Sequence, residues 1–501
     1  MATGLVLAGI LGVVIGTDRY QLLVWLLGLA ICIVITAGLR RRAWMLMPLA
    51  WALSGGTLVL PVPFSARDIA ILLAAGAYLG YRALAGSPQR RSRHLLELLV
   101  ALNVACLVVT FVLHPVGFRS IGSDTVGGRP YLTAGLAAVA AWLLPRLPDS
   151  PRTVAWLPWL SVAGTGLVAA LQGIGYLFPG AVPYLIFFYS GLDVGAYLET
   201  VTTGAALRLR GLSGIGQALM RLLCSFYRPR ALLAPWGWRF LLVVLALIAV
   251  LLSGFRSSLL AMLGTIVIGA WLHRGLRELA VGALLGAVLL GGLVGGQGQW
   301  YDLPYGVQRT LSFLPGQWSE EVLQDATAST EIRLMWWRTV IGEQLISDWW
   351  FGDGFGISRR DLETMGRPGR IGQDILMTGY YHNGPLSTIR YAGVIGLVLL
   401  YALLIANVVY ALRAVARCRG TPLQPAAFFV AIQAIWRPVH FTFIYGAYQE
   451  EIPELFYTAG LVQLLVLMAD KLAVERPPVG TLPLGQPRPA TATVGVVAKG
   501  G

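Results

Sequence analysis

Read from its hydrophobic and polar positions, the chain repeats one unit many times: an apolar run, then a short polar connection. Runs of the kind a spanning helix needs, ~20 mainly apolar residues, recur at 3–16, 20–38, 43–61, 68–86, 95–114, 131–146, 154–177, 211–227, 239–253, 257–272, 278–297, 384–412, 424–446 and 453–470. The pattern predicts an all-α polytopic integral membrane protein of about 14 transmembrane helices. It also predicts one large external loop containing short helices, residues 298–383, inside a membrane domain covering 1–473. Residues 474–501, rich in Pro, Gly and Thr, read as a disordered cytoplasmic tail. One assignment stays open: 183–206 competes with 211–227 as a span, because Arg221 is expensive in lipid unless it faces the bundle interior.

Composition changes this picture only by excluding other classes. Of the 501 residues 56% are hydrophobic and 12% charged, about half the charged fraction of soluble domains. The net charge of +14 invites a nucleic-acid reading. Its cations, however, sit in short clusters between apolar runs: Arg40 to Arg42; Arg90, Arg91 and Arg93; Arg146 and Arg152; Arg228 and Arg230; Arg274 and Arg277; Arg413, Arg417 and Arg419. These fall on alternate connections, so the positive-inside rule makes them cytoplasmic, places both termini there and puts the long loop outside. No nucleic-acid partner is expected. Cys32, Cys106, Cys224 and Cys418 show no metal-ligand spacing, so neither disulfide nor zinc is expected. Met1 leads straight into an apolar stretch, which reads as a first span rather than a signal peptide.

Candidate chemistry gathers at the external face. The loop ends in Tyr380-Tyr381-His382-Asn383-Gly384-Pro385, where a largely neutral imidazole can take a proton from a hydroxyl. A lone interfacial histidine is ordinarily just solvated; the arginines expected on the same face change its reading. Arg208 and Arg210 precede a span, Arg256 occupies a short turn between two apolar runs, and Arg333 and Arg338 lie on a helix-like stretch. Arginine's fixed fork of donors suits phosphate oxygens. Arg333 and Arg338 are separated by about 140° of helical rotation. A salt bridge to Glu331 or Glu343, or a headgroup position beside Trp336 and Trp337, accounts for either one, and for Arg338 more readily. Asn383 either positions the loop or caps the following helix. Gly352-Asp353-Gly354-Phe355-Gly356 permits a tight turn, as a flexible connector also would. The acidic residues form no ligand set for a metal, and no phosphate-binding glycine loop is present, so no cofactor is expected.

The ordered set Arg208-Leu209-Arg210-Gly211, Ser253-Gly254-Phe255-Arg256-Ser257, Arg333 to Trp337, Gly352 to Gly356, and His382-Asn383 with Gly393 and Gly396 resembles the O-antigen ligase and polymerase superfamily over roughly residues 160–410. The resemblance implies a membrane glycosyltransferase in the bacterial inner membrane, working at the periplasmic face without metal. It implies an undecaprenyl-diphosphate-linked glycan donor and a glycan, lipid A-core or protein acceptor. Its essential histidine matches His382 and its arginines match Arg208 or Arg210, Arg256 and Arg333; Arg338 stays a candidate diphosphate contact from its residue type alone. It also favours 211–227 as the span, since the family's Arg-x-x-Gly element lies outside, just before one. Phe255 stands where the family has serine. The rival class is a transporter or lipid flippase, for which about fourteen spans would suit and Asp193 and Glu199 would be the coupling carboxylates.

Overall fold

The computed structural model describes residues 36–57, 64–85, 95–117, 126–147, 150–192, 208–234, 237–357 and 373–475, with Gly28 and Val34. These residues are all-α apart from two isolated β-bridges. Thirteen helices carry the description: α1 (Ala66–Ala85), α2 (Leu95–Leu113), α3 (Arg129–Leu143), α4 (Leu157–Leu177), α5 (Arg210–Phe226), α6 (Trp238–Leu252), α7 (Arg256–Leu272), α8 (Leu276–Gly296), α9 (Tyr305–Leu311), α10 (Glu320–Gly342), α11 (Gly384–Cys418), α12 (Gln424–Val439) and α13 (Tyr448–Glu475).

Six helices among the described residues are long and apolar enough to cross a membrane: α2, Pro151–Leu177, α8, α11, Gln424–Ile444 and Tyr448–Val474. Three shorter apolar helices accompany them: Pro179–Phe188, α6 and α7. The protein is therefore a multi-span membrane protein, but these helices do not reach the expected fourteen. Runs 3–16 and most of 20–38 lie outside the described residues, as does the expected tail beyond Glu475. The run at 43–61 is not one helix. It breaks into a 3₁₀ turn (Arg40–Met45), one short helix (Leu46–Ala50) and irregular chain.

Helix α13 is the central post, with 83% of its most apolar window buried, against 12% for α8 at the periphery. It packs on α11 and α3, while α11 also packs on α2 and α12. A second group forms where α5 packs on α4, α6, α7 and α12. Arg221 of α5 turns into the bundle, as its position required, and its Nη1 donates to Gln433 Oε1 at 2.8 Å. In the competing segment the described part is a short helix, Val182–Phe188.

Over this bundle lies the loop predicted at 298–383. Its helix α9 packs on α6, α7 and α10. The expected amphipathic stretch 331–347 is the second half of the 23-residue α10. Beyond α10, the glycine cluster is a plug, not a free connector. Helix α11 breaks at Gly393 (φ 68°, ψ −175°), and residues 349–353 enter the break. Val394 N donates to Trp349 O at 2.8 Å and Asp353 N to Arg390 O at 2.8 Å. A Cβ on Gly393 would lie 2.0 Å from Trp350 O, and one on Gly352 2.5 Å from Ala392 N. The plug is locked by a buried ion pair, Arg390 Nη1 to Asp353 Oδ2 at 2.8 Å. The Asp353 carboxylate also accepts from the backbone N–H groups of Ser347 and Asp348, each at 2.9 Å.

Candidate active site

His382 stands at the N-terminal entrance of α11 in a left-handed conformation (φ 53°), which costs a non-glycine residue roughly 1–2 kcal/mol. Its neighbours fix that geometry. Before it, Tyr381 is fully buried and its carbonyl accepts from Trp337 Nε1 of α10 at 2.8 Å. After it, Asn383 is the N-cap of α11, accepting from Leu386 N at 3.0 Å. Of the two readings open for Asn383, capping is the contact observed. The imidazole lies among three rings: Tyr380 edge-on and Tyr445 tilted, both at 4.9 Å between centroids, and Trp336 at 6.0 Å. Its Nδ1 is buried with no hydrogen-bond partner among the described residues, itself a penalty of ~1–3 kcal/mol. Backbone strain and an unpaired ring nitrogen thus coincide at one residue, a pattern associated with functional sites.

Tyr445 and Glu450, which no sequence pattern marks, join the site through tertiary packing. Pro438 removes an N–H from α12, the chain continues as a π-helical turn over His440–Ile444, and Tyr445 is delivered against the histidine. Tyr380 Oη donates to Glu450 and shares a hydrogen bond with Tyr445 Oη. Burial, then the charge of Glu450, holds the Tyr380 phenol well above its ordinary range, so it stays protonated and donating.

Four of the expected arginines converge on the same region. Arg210 and Arg256 are the first residues of α5 and α7, and neither helix has a side-chain cap. The two N-termini lie side by side. Leu209 N donates to Ser253 O at 3.0 Å, and the hydroxyls of Ser213 and Ser258 are 2.6 Å apart. Two adjoining helix starts without side-chain caps bring partial positive charge to this side of the site. Arg256 Nη2 donates to Ala326 O of α10 at 3.0 Å. Asp325, next to Ala326, pairs with Arg208 at 3.7 Å and with Arg309 of α9. Arg309 is buried, donates its Nη1 to Gly254 O at 2.6 Å, and was absent from the sequence-based set. Arg333 is half-buried; burial lowers its pKa while Tyr445 raises it and Arg309 lowers it, so all three groups are close. Arg338 is exposed, on another side of α10, and joins none of these contacts.

The result for His382 is a pKa lowered to about 4, by burial first and then by the charges of Arg333, Arg208 and Arg210. The imidazole is neutral at neutral pH, facing a cationic cluster.

Residues 241–401 match the family model described as O-antigen ligase. Over this segment, and not over the rest of the chain, the protein is similar to the O-antigen ligase family. The matched segment runs from within α6 to within α11 and carries Arg256, Arg309, Arg333, Arg338, the Asp353–Arg390 plug, His382 and Asn383. Arg208, Arg210, Tyr445 and Glu450 come from outside it, so the cluster is completed by flanking helices. No curated protein matches the chain.

Proposed function

We propose that the protein is a metal-independent, inverting membrane glycosyltransferase working at the external, periplasmic face. Its donor is an undecaprenyl-diphosphate-linked glycan, and its acceptor is the hydroxyl of a glycan, lipid A-core or protein. The observation that carries this reading is the pairing of a neutral, aromatic-boxed histidine with arginines gathered at two adjoining helix N-termini. That pairing suits a base beside a leaving diphosphate.

In the proposed step the acceptor oxygen attacks the anomeric carbon as His382 accepts its proton. The new C–O bond forms opposite the bond that breaks, so configuration inverts. The bonding electrons leave with the diphosphate. Arg256 and Arg333, with Arg208 or Arg210, stabilise that growing charge by donors already in place, which avoids reorganisation during reaction. Arg338 lies too far round α10 to join at the same point and serves at most a peripheral diphosphate contact.

The test is reconstitution with a lipid-linked oligosaccharide and a candidate acceptor, products being resolved by size. A ladder identifies a polymerase and one added block a ligase. His382→Ala should abolish transfer, and Arg256→Ala should reduce it about 100- to 1000-fold, the range for loss of one preorganised donor. Retained transfer in His382→Ala sinks the mechanism. Lipid crossing the bilayer with no transfer moves the protein to the transporter class.

A further inference from the structure

Behind the histidine, the helical bundle encloses a polar cavity of about 550 Å³, within the size class of small-molecule sites, ~300–1,000 Å³. Its walls come from α5, α7, α12, α13 and the starts of α1 and α3, and it reaches the candidate active site through Arg210, Tyr380 and Tyr445. The mechanism above uses none of its deeper residues.

Charge in that deeper part is already balanced within the protein. Arg437 pairs with Glu451 at 3.2 Å and with Glu454 at 3.0 Å. Arg221 donates to Gln433, whose Nε2 donates to Glu454 at 3.3 Å. A site with its cations matched by carboxylates does not select an anion, unlike the arginine cluster next door. What it leaves over is neutral hydrogen-bonding capacity. Gln449 is 7% exposed and lines the cavity, yet both its Nε2 and its Oε1 lack a hydrogen-bond partner among the described residues. Trp436 Nε1 on the same wall is likewise unpaired. In a polar cavity of this size such groups bond to water or to a ligand, and a ligand that reproduces those hydrogen bonds can take the water's place. An amide that offers one donor and one acceptor matches the hydroxyl of a sugar, which both gives and takes a hydrogen bond. Trp436 and Tyr445 both line the cavity, which adds apolar ring surface to its polar wall.

We infer that this cavity is a saccharide-binding subsite, in which Gln449 and Trp436 hold a neutral sugar unit of one substrate behind the reacting bond. The inference rests on the glycosyltransferase reading for its role, but not for the binding itself.

The probe is oligosaccharide released by mild acid from the surface polysaccharide of the producing cells, with binding to the full-length protein in detergent followed by saturation-transfer NMR. Wild type and His382→Ala should both transfer saturation to sugar ring protons. Gln449→Leu and Trp436→Phe should each weaken binding at least tenfold. Gln449→Leu removes two unpaired polar atoms for an apolar side chain of similar length, so its thermal unfolding should not fall; Trp436→Phe keeps a ring and serves as the second variant. In the transfer assay, a tenfold rise of Gln449→Leu KM for the acceptor alone places the acceptor's sugar here, and a rise for the donor alone places the donor's. No saturation transfer to wild type, or binding unchanged in both variants, overturns the subsite. If binding is lost in the variants but wild type transfers nothing, the glycosyltransferase reading fails and the subsite stands.

Discussion

His382 holds three properties that oppose one another: a strained backbone, a buried unpaired nitrogen and a pKa depressed by nearby cations. A base with a pKa of about 4 is present in its neutral form at any neutral pH but is weak. The arginines that weaken it are the same ones proposed to bind the diphosphate. Once an anion compensates them, the imidazolium is less disfavoured and the pKa moves back up toward its ordinary value, ~6.5. The base is thus strengthened by the arrival of donor. The neutral form is lost as pH falls through the pKa, so kcat/KM for the donor should keep its acid limb near pH 4, while the limb of kcat should lie at higher pH. Coincident limbs in a pH–rate series would contradict this coupling. Asn383 acts on the same residue from the other side. Asn383→Ala should cost about 1 kcal/mol of stability, as cap losses do, and should lower kcat more than it raises KM, because the histidine loses its fixed approach.

At the scale of elements, the deciding feature is the plug of residues 349–353 in the break of α11. Removing one partner of a buried ion pair typically costs 3–5 kcal/mol. Asp353→Asn should therefore lower the thermal unfolding temperature markedly and reduce activity without touching any proposed contact to substrate. Gly393→Ala should be worse, since an added Cβ meets a carbonyl oxygen at 2.0 Å in a left-handed backbone; the yield of monodisperse protein in detergent measures it. A near-normal yield would mean that the break is not fixed by the plug. None of this was legible beforehand. The apolar run at 384–412 reads as one uninterrupted span, and its interruption comes from a loop some forty residues earlier in the chain. By contrast, the boundaries of 95–114, 239–253 and 257–272 fall within a residue or so of α2, α6 and α7, because hydropathy and a helix start are local properties. The run at 43–61 is broken for a local reason: Gly55, Gly56 and Pro61 stand in its second half. Arg208, Arg210, Arg256, Arg333 and His382 were legible as unusual cations and a histidine on one expected face. Arg309, Tyr445 and Glu450 were not, since a cation in a polar loop, a tyrosine and a carboxylate acquire meaning only when tertiary packing sets them beside the others.

At the scale of the molecule, the candidate site draws on three stretches of chain: the matched segment 241–401, the flank before it that supplies Arg208 and Arg210, and the flank after it that supplies Tyr445 and Glu450. A chain cut after Cys418 would keep all the proposed arginines and the histidine, yet lose α12, α13 and one wall of the histidine box. It should show no transfer and should be cleared by proteases, in pulse–chase labelling, much faster than the full chain. Stable accumulation of that fragment would argue that α13 is not the central post.

The position of α13 has a consequence for how the protein comes into being. It is the last described helix to leave the ribosome and the one on which the earlier α3 and α11 must close, so the bundle shuts only after those helices are made. Under the proposed function, an unfinished chain carries the arginine cluster without the ring that completes the histidine's box, so glycan transfer starts only after α13 has closed.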